Sequence, residues 1–303
     1  MVELWIPLTI AGAFCQNLRS ALQKHLKAHL STAGAAYVRF LYAWPFALLY
    51  VWSLTHFGGF EIPEINTKFL IFCLLGGLSQ IAFTFLLVWL FSFRNFAAGI
   101  IYSKTETAQV AVLGLLILGD PLSTGTILAI AVSLIGVLAL SVAQTEITFR
   151  NLVTSLYGKT TLIGLACGAA LGTSVVLFRG AALSLGGEGF LMQAGFSLAV
   201  SLLIQTLIMG TYLAVMEKGQ LRAVLVHWRP ALMVGVAAAL SSIFWRSAYT
   251  LQSAAYVRAL GQIELVFAIL ITTVFFREKI KIMELVGIMF ISGGILILIL
   301  TRA

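Results

Sequence analysis

Glu106 and Glu264 each stand near the middle of a long apolar stretch, residues 97–118 and 256–276. A charge at the centre of a membrane-spanning helix costs about 2.5–3.5 kcal/mol to insert and by default marks a functional interior. The chemistry open to such a carboxylate is narrow: it holds a proton, pairs with a cation of the chain, or binds a ligand. Lys104, Arg39 and Arg246 are comparably deep in apolar segments. Arg19, Arg179 and Arg258 lie nearer segment ends, where a long side chain reaches the interface, so a structural or interfacial role is expected of them. Helical geometry restricts the pairings. Residues i and i+2 point about 200° apart, so Lys104 and Glu106 cannot neutralise one another on one helix. Glu106 shares its face with Tyr102 and Gln109, while Arg258 and Gln262 share a face different from that of Glu264. Each glutamate therefore needs another helix, a substrate or a proton as partner, with Arg39 and Arg246 the natural cations for the first role. The candidate substrate-binding or coupling set is Glu106, Glu264, Arg39, Lys104, Tyr102, Gln109, Gln262 and Arg246. The competing reading makes the glutamates permanent ion pairs that only fix helix packing.

Composition identifies the scaffold that must hold these residues. Of 303 residues 60% are hydrophobic and 10% charged, with a mean hydropathy of +1.03. Soluble domains carry about 25% charged residues, so lipid must solvate most of this exterior. In lipid only helices or closed barrels satisfy their own backbone, and the alternating ten-residue segments of a barrel are missing. The chain reads as an all-α integral membrane protein with ten transmembrane helices at 4–22, 34–54, 68–91, 97–118, 124–142, 160–183, 190–215, 231–251, 256–276 and 283–301. The first segment lacks the basic leader of a signal peptide and is expected to be retained. Pro45 is expected to kink the second segment, and the Gly76–Gly77 and Gly293–Gly294 pairs to permit close helix approach. Trp5, Trp52 and Trp228 fit an interfacial aromatic belt. Cys15, Cys73 and Cys167 read as small buried hydrophobes. The net charge of +8 reflects loop Lys and Arg rather than a nucleic-acid partner.

A shift of 158 positions lays the first half over the second. Glu106 then meets Glu264, Gly136 meets Gly294, Phe91 meets Tyr249, and Asp120-Pro121-Leu122 meets Glu278-Lys279-Ile280. This gives repeats at 1–143 and 160–303 joined by a polar linker, 144–159. Five crossings in each half make the two five-helix repeats inverted, an arrangement many secondary transporters use around a midplane site.

The doubled motif of helix, acidic turn and Gly-rich helix carries a family resemblance. It stands as Leu118-Gly119-Asp120-Pro121-Leu122 leading to Leu134-Ile135-Gly136-Val137, and again as Phe276-Arg277-Glu278-Lys279-Ile280 leading to Gly287 and Ser292-Gly293-Gly294-Ile295. The chain resembles, over its whole length, the EamA-type ten-helix branch of the drug/metabolite transporter superfamily. The resemblance implies proton- or gradient-driven movement, or exchange, of small metabolites such as amino acids. Where that family commonly carries a proline ahead of the acidic turn, this chain carries Glu106 and Glu264.

The expected function is alternating-access secondary transport, export or exchange, of a small polar or charged metabolite. The partners are that substrate, the lipid bilayer and protons as coupling ion, with no cofactor and no nucleic acid. A proton-coupled cation or drug exporter using the paired glutamates, or a lipid flippase, is the alternative. An intramembrane enzyme is remote: His25, His29, His56 and His227 all fall in loops without metal-ligand spacing, and Asp120 is the only Asp. Eleven Lys and Arg fall in loops on one side, against two clear and two further candidates on the other. The positive-inside rule then puts both termini outside, whereas the resemblance favours cytoplasmic termini. The expected location is a multi-pass position in the inner or plasma membrane.

Overall fold

A computed structural model describes residues 3–26, 29–90, 93, 102–145, 158–187, 189–267 and 282–300. Among these residues every regular element is a helix. In chain order they are α1 (Trp5–Leu26), α2 (Thr32–Leu41), α3 (Trp44–His56), α4 (Thr67–Leu90), α5 (Glu106–Leu118), α6 (Thr124–Thr145), α7 (Lys159–Ser184), α8 (Phe190–Met216), α9 (Gln220–Val226), α10 (Trp228–Leu251), α11 (Ala254–Gly261) and α12 (Ile282–Leu300). Among the described residues four helices are long and apolar enough to cross a membrane: the Thr67–Leu87 part of α4, and α7, α8 and α10. Only 22% of the apolar window of α4 is buried, and Leu70, Ile71, Leu74, Leu75 and Leu78 face outward. Meanwhile Thr9, Ser174, Ser197, Ser201 and Gln205 are fully buried. Apolar residues outside and hydroxyls inside is the pattern of a helix bundle solvated by lipid.

Three expected segments are broken, the stretch 97–118 at Lys104–Thr105 among them. The stretch 34–54 forms α2 and α3, separated at Tyr42–Ala43, with Pro45 in the first turn of α3 where its missing N–H costs nothing. The stretch 256–276 begins as α11, turns at Gln262 and resumes as helix at 263–267; the expected remainder, with the acidic turn at Glu278, lies outside the described residues. The expected linker lies mostly outside them as well. The short helix α9 was not among the expected elements. The described chain divides into two compact units, Met1–Ile81 with Leu177–Gln252, and Ala82–Val176 with Ser253–Ala303.

In the first unit α1 runs along α10. Gly12 faces the Trp245 indole, where an added Cβ would lie 3.3 Å away, and the Ser241 hydroxyl donates to the Gly12 carbonyl at 3.1 Å. Three glycines receive tyrosines: Gly195 takes Tyr50, Gly210 takes the Tyr37 hydroxyl, and Gly235 takes the Tyr42 backbone. At Gly235 an added Cβ would meet the Tyr42 carbonyl at 2.7 Å, so the break between α2 and α3 rests directly on α10. The start of α2 is capped by Ser31, whose oxygen accepts from the Gly34 N–H at 3.0 Å while its hydroxyl donates to the Glu217 carboxylate. Gln220 accepts from the Ser31 N–H at 3.1 Å. Replacing Ser31 with alanine removes both the cap and the Glu217 contact. It is expected to lower stability by about 1–2 kcal/mol, read as a drop in melting temperature of the purified protein. Trp5 departs from the expected belt: it is buried, with its indole N–H donated to Glu3, whereas Trp52 and Trp228 are exposed.

In the second unit α6 and α12 pack backbone to backbone. An added Cβ at Gly136 would lie 2.7 Å from the Gly287 carbonyl oxygen and the Ile291 nitrogen. One at Gly294 would lie 2.8 Å from the Ala129 carbonyl oxygen and 2.9 Å from the Ser133 nitrogen. Val137 and Ile291 centre a small core with Leu265, Val266, Ile288 and Ile295 around them. At the acidic turn Gly119 ends α5 in the left-handed region (φ 71°), and the Asp120 N–H returns to the Gly114 carbonyl at 3.2 Å.

Candidate functional site

The second unit gathers six of the eight candidates around a helix break. Tyr102 and Ser103 form a short helical turn, Lys104 and Thr105 interrupt it, and Glu106 opens α5. The Thr105 hydroxyl donates to the Tyr102 carbonyl at 2.7 Å, and the Gln109 amide donates to the Thr105 oxygen at 2.9 Å and to the Leu165 carbonyl at 3.4 Å. Gly168 on α7 makes room for the break, since an added Cβ would lie 2.9 Å from the Ser103 carbonyl oxygen. Gly172, one turn on, lets Val110 approach. The Gly168–Gly172 spacing is a small-xxx-small pair, a signal the sequence offered and the expectations above did not use.

Glu106 is buried and forms an ion pair with the buried guanidinium of Arg258. The helix ends favour both charges. Glu106 sits in the first turn of α5, where the backbone dipole is positive, and Arg258 in the last turn of α11, where it is negative. Glu264, half-buried just after the break at Gln262, acts electrostatically on the same guanidinium. Gln262 is buried and donates its amide to the Thr107 hydroxyl beside Glu106. Arg258 is thus ion-paired with Glu106 and within electrostatic reach of Glu264, and an amide ties α11 to α5. Lys104 is half-buried and lies within electrostatic reach of Cys167.

This corrects two expectations. The ion-pair partner of Glu106 is Arg258 rather than Arg39 or Arg246, and Arg258 is buried rather than interfacial. The cause is the turn at Gln262. It ends α11 at Gly261, so that Arg258 falls in the last turn of a short helix instead of near the start of one long helix.

The remaining two candidates belong to the first unit. Arg39 on α2 is half-buried, its guanidinium 4.9 Å from the Phe40 ring and in electrostatic reach of Arg19. Arg246 on α10 is buried. Its guanidinium lies 3.8 Å from the centroid of Phe178 and donates to the Ser201 oxygen at 2.7 Å and the Ser197 oxygen at 3.4 Å. Ser197, Ser201 and Gln205 recur every fourth residue along one fully buried face of α8, and the Gln205 amide donates to the Gln80 oxygen at 2.7 Å. Arg179 donates to the Tyr249 carbonyl at 2.7 Å. Phe178 and the α8 serines went unnoticed in the sequence because neither type is unusual in a membrane helix; the i, i+4, i+8 spacing of Ser197, Ser201 and Gln205 was the available sign.

No family model matches the chain, and no curated protein matches it. Among solved structures, one titled only "Crystal structure of protein" is similar in fold, with a TM-score of 0.74 over 99% of this chain and 97% of that one at 13% identity. The likeness extends to the fold alone.

Proposed function

We propose that this chain is a secondary transporter of a small polar or charged metabolite, working by alternating access between two inverted five-helix repeats in a cell membrane. The observation that carries the reading is the charge set Glu106, Arg258 and Glu264, buried or half-buried in a lipid-type bundle and placed at helix breaks. A purely structural pair needs one carboxylate for one guanidinium. Here a second carboxylate lies within electrostatic reach of the same cation, which suits a group that exchanges a proton or a ligand during a cycle.

Several features support the repeat. The breaks before Glu106 and Glu264 fall at positions 158 residues apart, as do the starts of α2 and α8 at Thr32 and Phe190. The α6–α12 contact is reciprocal: Gly136 meets Gly287 and Ile291, while Gly294 meets Ala129 and Ser133, their counterparts under the same shift. Self-complementary contacts of this kind are the mark of two-fold symmetry. The loop-charge tally supports both termini outside. The buried carboxylates suit protons as the coupling ion, with export or exchange as the proposed direction.

The test is uptake and counterflow of a labelled metabolite panel in proteoliposomes with an imposed pH gradient. Wild-type protein is expected to move at least one small metabolite, and Glu106→Gln or Glu264→Gln to lose gradient-driven movement while remaining folded. Transport that is indifferent to both substitutions would assign the glutamates to structure alone. If only organic cations move, the cation-exporter reading replaces the metabolite one.

A further inference from the structure

The first unit buries an arginine, Arg246, that forms no ion pair among the described residues. Its hydrogen-bond partners are the oxygens of Ser197 and Ser201. Both hydroxyls spend their protons elsewhere, Ser197 on the Ala194 carbonyl and Ser201 on the Leu198 carbonyl, each at 3.0 Å. Each oxygen is therefore an acceptor toward the guanidinium. These are neutral acceptors, and a buried cation is costly unless an anion accompanies it.

The surroundings hold this cation in one pose. Phe178 covers one face of the guanidinium at 3.8 Å, and Gly76 on α4 lets that ring sit where it does, since an added Cβ would fall 2.8 Å from it. Cys73, one turn earlier on α4, points its thiol at the Ser197 carbonyl at 4.0 Å. With one face stacked and two N–H groups on serines, the remaining N–H donors lie along the edge of a fixed planar fork.

We propose that Arg246, framed by Ser197, Ser201 and Phe178, is the receptor for the carboxylate of a small organic acid. A carboxylate matches the fork in plane and carries the single charge that one guanidinium balances. A phosphate dianion would bring a second charge that no other cation in this group of residues meets. The proposal rests on the transport reading above and gives its substrate class.

The experiment is a thermal-shift series on the full chain in detergent, using sodium lactate, sodium succinate, L-alanine and sodium phosphate against chloride at matched ionic strength. Wild type, Arg246→Met and Arg246→Lys are compared. At least one carboxylate compound is expected to raise the wild-type melting temperature by ~5 °C near saturation. Arg246→Met is expected to melt at or above wild type without ligand, because it removes a buried charge that forms no ion pair among the described residues, and to lose the carboxylate shift altogether. Arg246→Lys keeps the charge and loses the fork, so its apparent affinity should fall about tenfold or more. No carboxylate shift in wild type, a shift with phosphate alone, or an equal carboxylate shift in Arg246→Met overturns the site. Parallel uptake assays separate this failure from that of the transport reading. Metabolite uptake unaffected by Arg246→Met leaves transport standing and removes this site. A carboxylate shift lost in Arg246→Met, in a protein that moves nothing, leaves the site standing and removes transport.

Discussion

Arg258→Met is expected to destabilise the protein more than any other single change to its buried charges. It strands Glu106 at 6% exposure and leaves Glu264 without the same cation, so the loss should be about 3–5 kcal/mol. Glu106→Gln should cost clearly less, because the charge of Glu264 still acts on Arg258. The triple variant Glu106→Gln, Arg258→Met, Glu264→Gln should return most of the loss, since it removes all three charges together. Melting temperatures of the four proteins decide the matter. Equal losses in Arg258→Met and Glu106→Gln would mean that Glu106 and Arg258 form an isolated pair and that Glu264 takes no part.

The second large effect is expected at the α6–α12 seam. Gly136→Ala places a methyl 2.7 Å from two backbone atoms of α12, which cannot swing aside as a side chain can. The helices must separate, and overpacking of this kind costs about 1–3 kcal/mol or more. Gly294→Ala meets the backbone of α6 in the same way and should lose a comparable amount. Gly293 is the internal control: an added Cβ there meets nothing within 4 Å, so Gly293→Ala should be neutral or stabilise by up to about 1 kcal/mol through helix propensity. Thermal melts of the three variants are the measurement. A loss at Gly293 matching that at Gly136 would point to glycine flexibility rather than close contact as the reason these residues are small.

Much of the architecture is legible in the residues because lipid imposes a simple rule. A long helix that faces lipid must be apolar along its whole length, so α4, α7, α8 and α10 emerge from hydropathy with ends displaced by a few residues. Interruptions are less legible. Pro45 marks a disturbance, but the break falls at Tyr42–Ala43 because Gly235, far away in sequence, admits the Tyr42 backbone. No local pattern encodes that contact. At Gln262 the one local sign is Gly261 before it, a residue frequent in membrane segments, and without that turn Arg258 reads as a residue near a segment end. The glutamates were legible because a carboxylate in an apolar run is conspicuous by type; their cation was not, because several arginines compete and only packing selects among them. The α9 helix, seven residues long, is too short for periodicity to distinguish it from a loop.

The ion pair between Glu106 and Arg258 also sets a timetable for biogenesis. The two residues are 152 positions apart, and a ribosome adding about 5–20 residues per second needs roughly 8–30 s to make the second after the first. Throughout that interval Glu106 has entered the insertion machinery without its counter-charge. A nascent chain stalled before Arg258 should therefore hold α5 weakly, open to extraction by quality-control proteases, and become resistant only when α11 has been delivered.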